Sequence, residues 1–330
     1  ATRSSRMNAD TSTLPLWESA SPPNYLIMRA SADFAQRAAR TISRHFEGNL
    51  LAGLVLLALL QRRFSLATFG PAEREAAQAV SAKSLARSLN AAPETMRRCV
   101  VRLIENGWCT RLGRLGIVPS QSAAGEEQIA TFLADIRADF LMFLSCLKSV
   151  GFDFDLMGRA TLHREANAQA APPDIASLPG IDAAIVNFGL RIVEIGAAPF
   201  DNDYLLAWVF GAIMMANAAP FAYDATKAWL YSTYETQPSD EACRPTNLAE
   251  VSQNLGIPYE TARRHVNRLI SLGVCLRNDR KGLLVPTEIF RMASSVSVTM
   301  DLTKRFSQMV SELKRLGFDF SSVQPLGGQS

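Results

Sequence analysis

Two arginine pairs, Arg97-Arg98 and Arg263-Arg264, carry the most legible chemistry of this 330-residue chain. A guanidinium presents a planar fork of N–H donors that matches two phosphate oxygens or the O6/N7 edge of guanine. Around the pairs stand other groups of the same kind. Asn267 has the donor and acceptor that read adenine, Thr95 and Thr261 suit phosphate contacts near helix starts, and Arg102 and Arg268 lie one turn further on. Arg114, Arg280 and Lys281 follow on short β-like runs, placed for phosphates or a neighbouring minor groove. Catalytic constellations are absent: three scattered histidines, with no HExxH, GxSxG, P-loop or dinucleotide fingerprint, give no ground for an enzyme, a metal or a cofactor. The five cysteines have no short spacing, which excludes a metal knuckle and a disulfide framework and fits a reducing cytoplasm. Cys109 and Cys275 read as small core residues.

The two arginine pairs belong to an internal repeat. Leu89 to Arg111 (LNAAPETMRRCVVRLIENGWCTR) aligns without a gap on Leu255 to Arg277 (LGIPYETARRHVNRLISLGVCLR), 166 residues later, with 12 of 23 positions identical. Unrelated segments would share roughly one or two. The same offset relates LKSVGFDF at Leu147 to LKRLGFDF at Leu313, and upstream Phe46 to Leu60 resembles Phe200 to Met214 more weakly. Two units follow, 24–154 and 177–320, with a Ser/Thr/Pro-rich start over 1–23 expected to be disordered, a linker over 155–176 and a tail over 321–330.

In each unit the arginines need an element to hold them. Residues 82–89 predict a short helix, Asn90 to Pro93 a turn, and Glu94 to Asn106 a second helix stopped by Gly107. Met96, Val100, Leu103 and Ile104 make its apolar stripe, leaving Arg97, Arg98 and Val101 on the opposite face. A hairpin over 108–119 follows, then a long helix over about 126–150 ended by Gly151. The second unit repeats this as 248–255, 259–272, a hairpin over 274–286, and a helix over about 288–316. The fold class expected is mainly α with small β-hairpin wings, the long flanking helices pairing the units in a pseudo-twofold arrangement. The apolar run Asn49 to Leu60 is about a dozen residues, against the roughly 20 needed to cross a bilayer, so it reads as a buried helix. Tyr204 to Met215 and the aromatics Phe221, Tyr223, Trp229, Tyr231 and Tyr234 read as core or interface, with an effector pocket as the alternative.

Charge sharpens the arginine reading. The net charge is only +3, yet residues 81–120 carry +5 and residues 244–286 carry +4, so the rest of the chain is at −6. Positive charge concentrates on the two repeats, as phosphate binding requires.

The segments PETMRRCVVRLIENGW and PYETARRHVNRLISLGV resemble bacterial winged helix-turn-helix transcription regulators of the GntR and MarR-like type, over about 40 residues of each unit. The resemblance implies double-stranded DNA as partner, two recognition helices on one chain, a nucleoid-associated cytoplasmic location, a homodimer through the long helices and a small-molecule effector. The copies differ where bases would be read, Pro93 against Tyr259, Cys99 against His265 and Val101 against Asn267, which predicts two non-identical half-sites. The competing expectation is a winged-helix interaction or architectural module, its arginines merely paired with Glu94 and Glu260.

Overall fold

The computed structural model describes residues 23–66, 77–155, 178–278 and 282–326. Nearly all of the expected disordered start and linker, the hairpin residues Asp279, Arg280 and Lys281, and residues 327–330 lie outside that set. Within it the protein is mainly helical with two small antiparallel hairpins.

The first half runs α1 (Asn24–His45), α2 (Leu50–Ser65), α3 (Ala82–Ser88), α4 (Pro93–Glu105), β1 (Cys109–Leu112), β2 (Gly116–Pro119) and α5 (Ala123–Ser149). The second runs α6 (Leu178–Ala197), α7 (Tyr204–Ala222), α8 (Ala225–Leu230), α9 (Leu248–Leu255), α10 (Tyr259–Ser271), β3 (Leu276–Arg277), β4 (Leu283–Leu284) and α11 (Ala293–Arg315). Local chemistry fixes matching ends in both halves. Asn49 caps α2 by accepting from the Ala52 N–H, and Asp203 caps α7 by accepting from the Leu206 N–H. Ser81 and Asn247 do the same for α3 and α9. Pro93 opens α4 in the first turn, where its missing N–H costs nothing. Gly151 and Gly317, both at φ +79°, end the long helices, and the N–H groups of Phe152 and Phe318 return to the carbonyls of Leu147 and Leu313.

The correspondence extends upstream at a second offset, 154 residues. α1 and α2 meet at a bend of 103°. Glu47 and Gly48 turn that corner with positive φ, and Asp201 and Asn202 do so between α6 and α7. Phe46 and Phe200, one residue before, are both buried.

The hairpins pair Cys109 with Pro119 through Leu112 with Gly116, and Leu276 with Leu284 and Arg277 with Leu283. The second is shorter than its expected 274–286 span. Each gains a third backbone segment, Val80 bridging Ile117 and Thr246 bridging Leu283. Gly116 is required there: at φ +142° a Cβ would stand 2.6 Å from the Val80 carbonyl oxygen. The second long helix begins later than expected, after a 3₁₀ turn over Thr287–Arg291.

The spans 24–154 and 177–320 share a single core. α1 packs against α5 of its own half and also against α7, α9 and α11 of the other, while α2 lies on α6. Each half's second helix therefore rests on the other half's first, so the apolar faces cross over. Residues Leu178–Phe200 and Tyr204–Ala222 are long and apolar enough to cross a membrane by length and composition, and 67% of the most apolar window of the latter is buried inside the protein.

Candidate nucleic-acid interface

The geometry of α4 and α10 separates buried from outward groups by helical periodicity. Met96, Cys99, Val100 and Leu103 line the buried face of α4, and Ala262, Val266 and Leu269 that of α10. Opposite them Thr95, Arg97, Arg98 and Arg102 are exposed on α4, and Tyr259, Arg263, Arg264, Asn267 and Arg268 on α10. Val101 and Thr261 are half-buried at the edges. Arg114 is exposed in the turn between β1 and β2. Arg280 and Lys281 fall outside the described residues.

Burial corrects the expectation that Cys99 and His265 differ on the outward face. Cys99 is buried between Met96 and Leu103, with burial pushing its thiol up to about 11, and His265 is half-buried with Nδ1 2.8 Å from the Thr261 carbonyl oxygen. Position 99 flanks the apolar stripe, and a short thiol joins the core there.

The arginines are held by glutamates at the same turn. Arg97 makes a two-pronged contact with Glu94, both arms at 2.8 Å, and Arg98 Nε reaches the same carboxylate at 2.9 Å. These bonds, Arg97 first, pull Glu94 down to about 2. Arg263 Nε donates to Glu260 at 2.8 Å, whereas among the described residues Arg264 forms no ion pair. The ion-paired arrangement weighed from the sequence is thus present. It is also largely solvated: the side chains of Arg97, Arg98 and Arg263 are 63%, 74% and 55% exposed. Exposed pairs of this kind are weak, screened by solvent and salt, and yield readily to a competing phosphate.

Both helices are seated by the corners of the opposite half. In the turn before α4, Asn90 Nδ2 donates to the Asp201 carbonyl at 2.6 Å, and Tyr204 Oη donates to the Ser88 carbonyl at 3.1 Å. Reciprocally, in the turn before α10 the Gly256 carbonyl accepts from Ser43 Oγ at the end of α1. Asp203, at the same corner as Asp201, also reaches Arg268 at 3.3 Å. The approach to α4 and the last turns of α10 therefore meet at one corner, which fixes the two arginine-bearing helices relative to one another.

Compared with known protein families, curated proteins and solved structures, the chain finds no match.

Two positioning residues escape a reading of the sequence. Asp203 draws Arg268 back toward the body; its signal lies in the repeat, since Asn49, the matching cap, carries no charge. Asn217, buried in α7, donates to the Arg244 and Leu283 carbonyls at 2.8 and 3.0 Å and accepts from the Val285 N–H at 2.9 Å, tying β4 to the core. An asparagine inside an apolar helix is its only signal. No group of three or more metal-ligating side chains occurs among the described residues.

Proposed function

We propose that this protein is a sequence-specific DNA-binding transcription regulator in which two winged helix-turn-helix units on one chain present α4 and α10 to two non-identical half-sites. The observation that carries the reading is the pairing of two 13-residue helices, each with its arginines outward, held by reciprocal contacts on a common core. Phosphate binding follows from the +5 and +4 of the two repeats, and base reading from the guanidinium forks and Asn267. Tyr259 and Asn267 against Pro93 and Val101 give the two helices different chemistry.

Selection of bound sequences from a random duplex pool tests this. The expected product is a bipartite site with unlike halves at one fixed spacing, because the helices belong to one core. Arg97→Ala with Arg263→Ala should remove the preference over random DNA, and one inserted base pair between the halves, which rotates them by roughly a tenth of a turn, should weaken binding about tenfold. Equal affinity for random and selected DNA would favour the interaction-module reading instead.

A further inference from the structure

The crossing of the two halves builds one groove twice. On one side α1 and α5 of the first half meet α7 of the second, and on the other α6 and α11 of the second half meet α2 of the first. The offsets of 154 and 166 residues map one set of walls onto the other: Leu26, Arg29, Asp33 and Cys146 correspond to Gly180, Ala183, Asn187 and Glu312. The groove on α1 is closed to a space of about 10 Å³. Arg29 is buried in it and donates to the Ala228 and Tyr231 carbonyls at 3.0 and 2.7 Å, which draws the end of α8 over the top. The groove on α6 is open to solvent and holds about 720 Å³, with Gly180 and Ala183 where the other has Leu26 and Arg29.

The walls differ in charge as well. Arg62 of α2, Arg191 of α6 and Arg305 of α11 all line the open groove, and the equivalent positions on the other side are Ala216, Arg37 and Asp139. Arg37 is held by Asp33 at 2.7 Å, an acid that Asn187 replaces here. Arg191 pairs instead with Glu194, which does not line the groove, and Glu312 is taken by Arg315 at 2.6 Å. Arg62 and Arg305 remain exposed, the first donating through Nε to the Ala77 carbonyl at 2.6 Å and the second to Gln308 at 3.0 Å. Among the described residues neither has an acidic partner within 4.0 Å. Below these cations the groove is apolar: Ala184, Phe188 and Met309 are buried in its floor, and Phe64 and Leu316 are half-buried beside them.

We propose that the open groove binds a small organic anion, its apolar body seated on Phe188 and Met309 and its acidic oxygens taken by Arg62 and Arg305. The anion follows from two guanidinium groups without a carboxylate, each a fork of donors that matches an oxyanion. The apolar body follows from the floor, which charge recognition alone does not need, and the volume lies within the range of small-molecule sites. Because the guanidinium groups are solvated, the charge and the apolar body must act together to give useful affinity. The groove shares no residue with α4 or α10, so ligand binding and DNA binding are measured apart and the failure of one leaves the other standing.

The test is calorimetric titration of the full chain, without DNA, using 1-naphthyl phosphate and its two parts, 1-naphthol and inorganic phosphate. The intact probe should bind about tenfold tighter than either part. Arg62→Ala with Arg305→Asp, which imports the residues of the closed groove, should weaken the probe about tenfold and leave 1-naphthol unchanged, a circular-dichroism melt verifying that the variant is folded; should it not fold, Arg305→Asp alone carries the decision. Arg97→Ala with Arg263→Ala should leave probe binding as it was. The proposal is overturned if the unaltered protein does not bind the probe at about millimolar concentration, as when residues 67–76 of the chain cover the groove. It is equally overturned if either part binds as tightly as the whole, if the folded Arg62 and Arg305 variant binds as before, or if the Arg97 and Arg263 variant loses the probe.

Discussion

Phe132 and Val298 occupy the same turn of equivalent long helices, and Asn49 and Asp203 the same cap of equivalent second helices, yet each pair does different work. Where the first half is closed by the rings of Phe46, Trp108 and Phe132, the second is open at Val274 and Val298 and relies on polar groups: Asn217 ties down its hairpin and Asp203 restrains Arg268. In the first half the position equivalent to Asn217 is Arg63, half-exposed and 3.4 Å from Glu126. The difference teaches that two copies of one framework can divide labour, the first as a packed support and the second as the part with adjustable chemistry.

Exchanging residues between the halves tests that division. The largest effect belongs to Phe132→Val: importing the second half's residue opens a void in a filled cluster and should cost about 3 kcal/mol in urea unfolding. The reverse change, Val298→Phe, should cost far less, because the space already exists. Next comes Asn217→Ala, which orphans the Arg244 carbonyl and the Val285 N–H, the Leu283 carbonyl keeping the Thr246 N–H, and should cost about 2 kcal/mol, whereas Arg63→Ala at the matching half-exposed position should stay within about 0.5 kcal/mol.

Alkaline pH probes the thiols, which differ in access. Burial pushes Cys109 up to about 12 and Cys99, Cys146, Cys243 and Cys275 to about 11. The folded state therefore keeps protons that the unfolded chain releases near pH 9, and stability should fall as pH rises from about 9 toward 11. Iodoacetamide at pH 8 should label half-buried Cys243 first and leave the other four intact until the protein is unfolded.

The smallest expected effect is Asp203→Asn. The cap is retained and Arg268 released, so stability should change by less than about 0.5 kcal/mol while affinity for duplex DNA at low salt rises, measured by fluorescence anisotropy.

The arginine-bearing helices, their outward residues and their glycine stops were legible because a 3.6-residue period and a second segment identical at 12 of 23 positions specify them locally. Cys99 was misplaced because position 99 borders the stripe, where periodicity alone does not decide between core and surface. The crossing of α1 onto α7 and of α2 onto α6 was not legible: an apolar face records that it is covered, not by what. The open groove was hidden for a related reason, since it arises from differences on separate elements whose meeting in space the repeat does not record.

The corner contacts, Asn90 on Asp201 and Ser43 on Gly256, have a consequence of mass action. A regulator assembled from two separate subunits loses its second reading head on dilution, as the dimer dissociates. Here each arginine-bearing helix is seated on the other half of the same polypeptide, so the pair persists at any concentration.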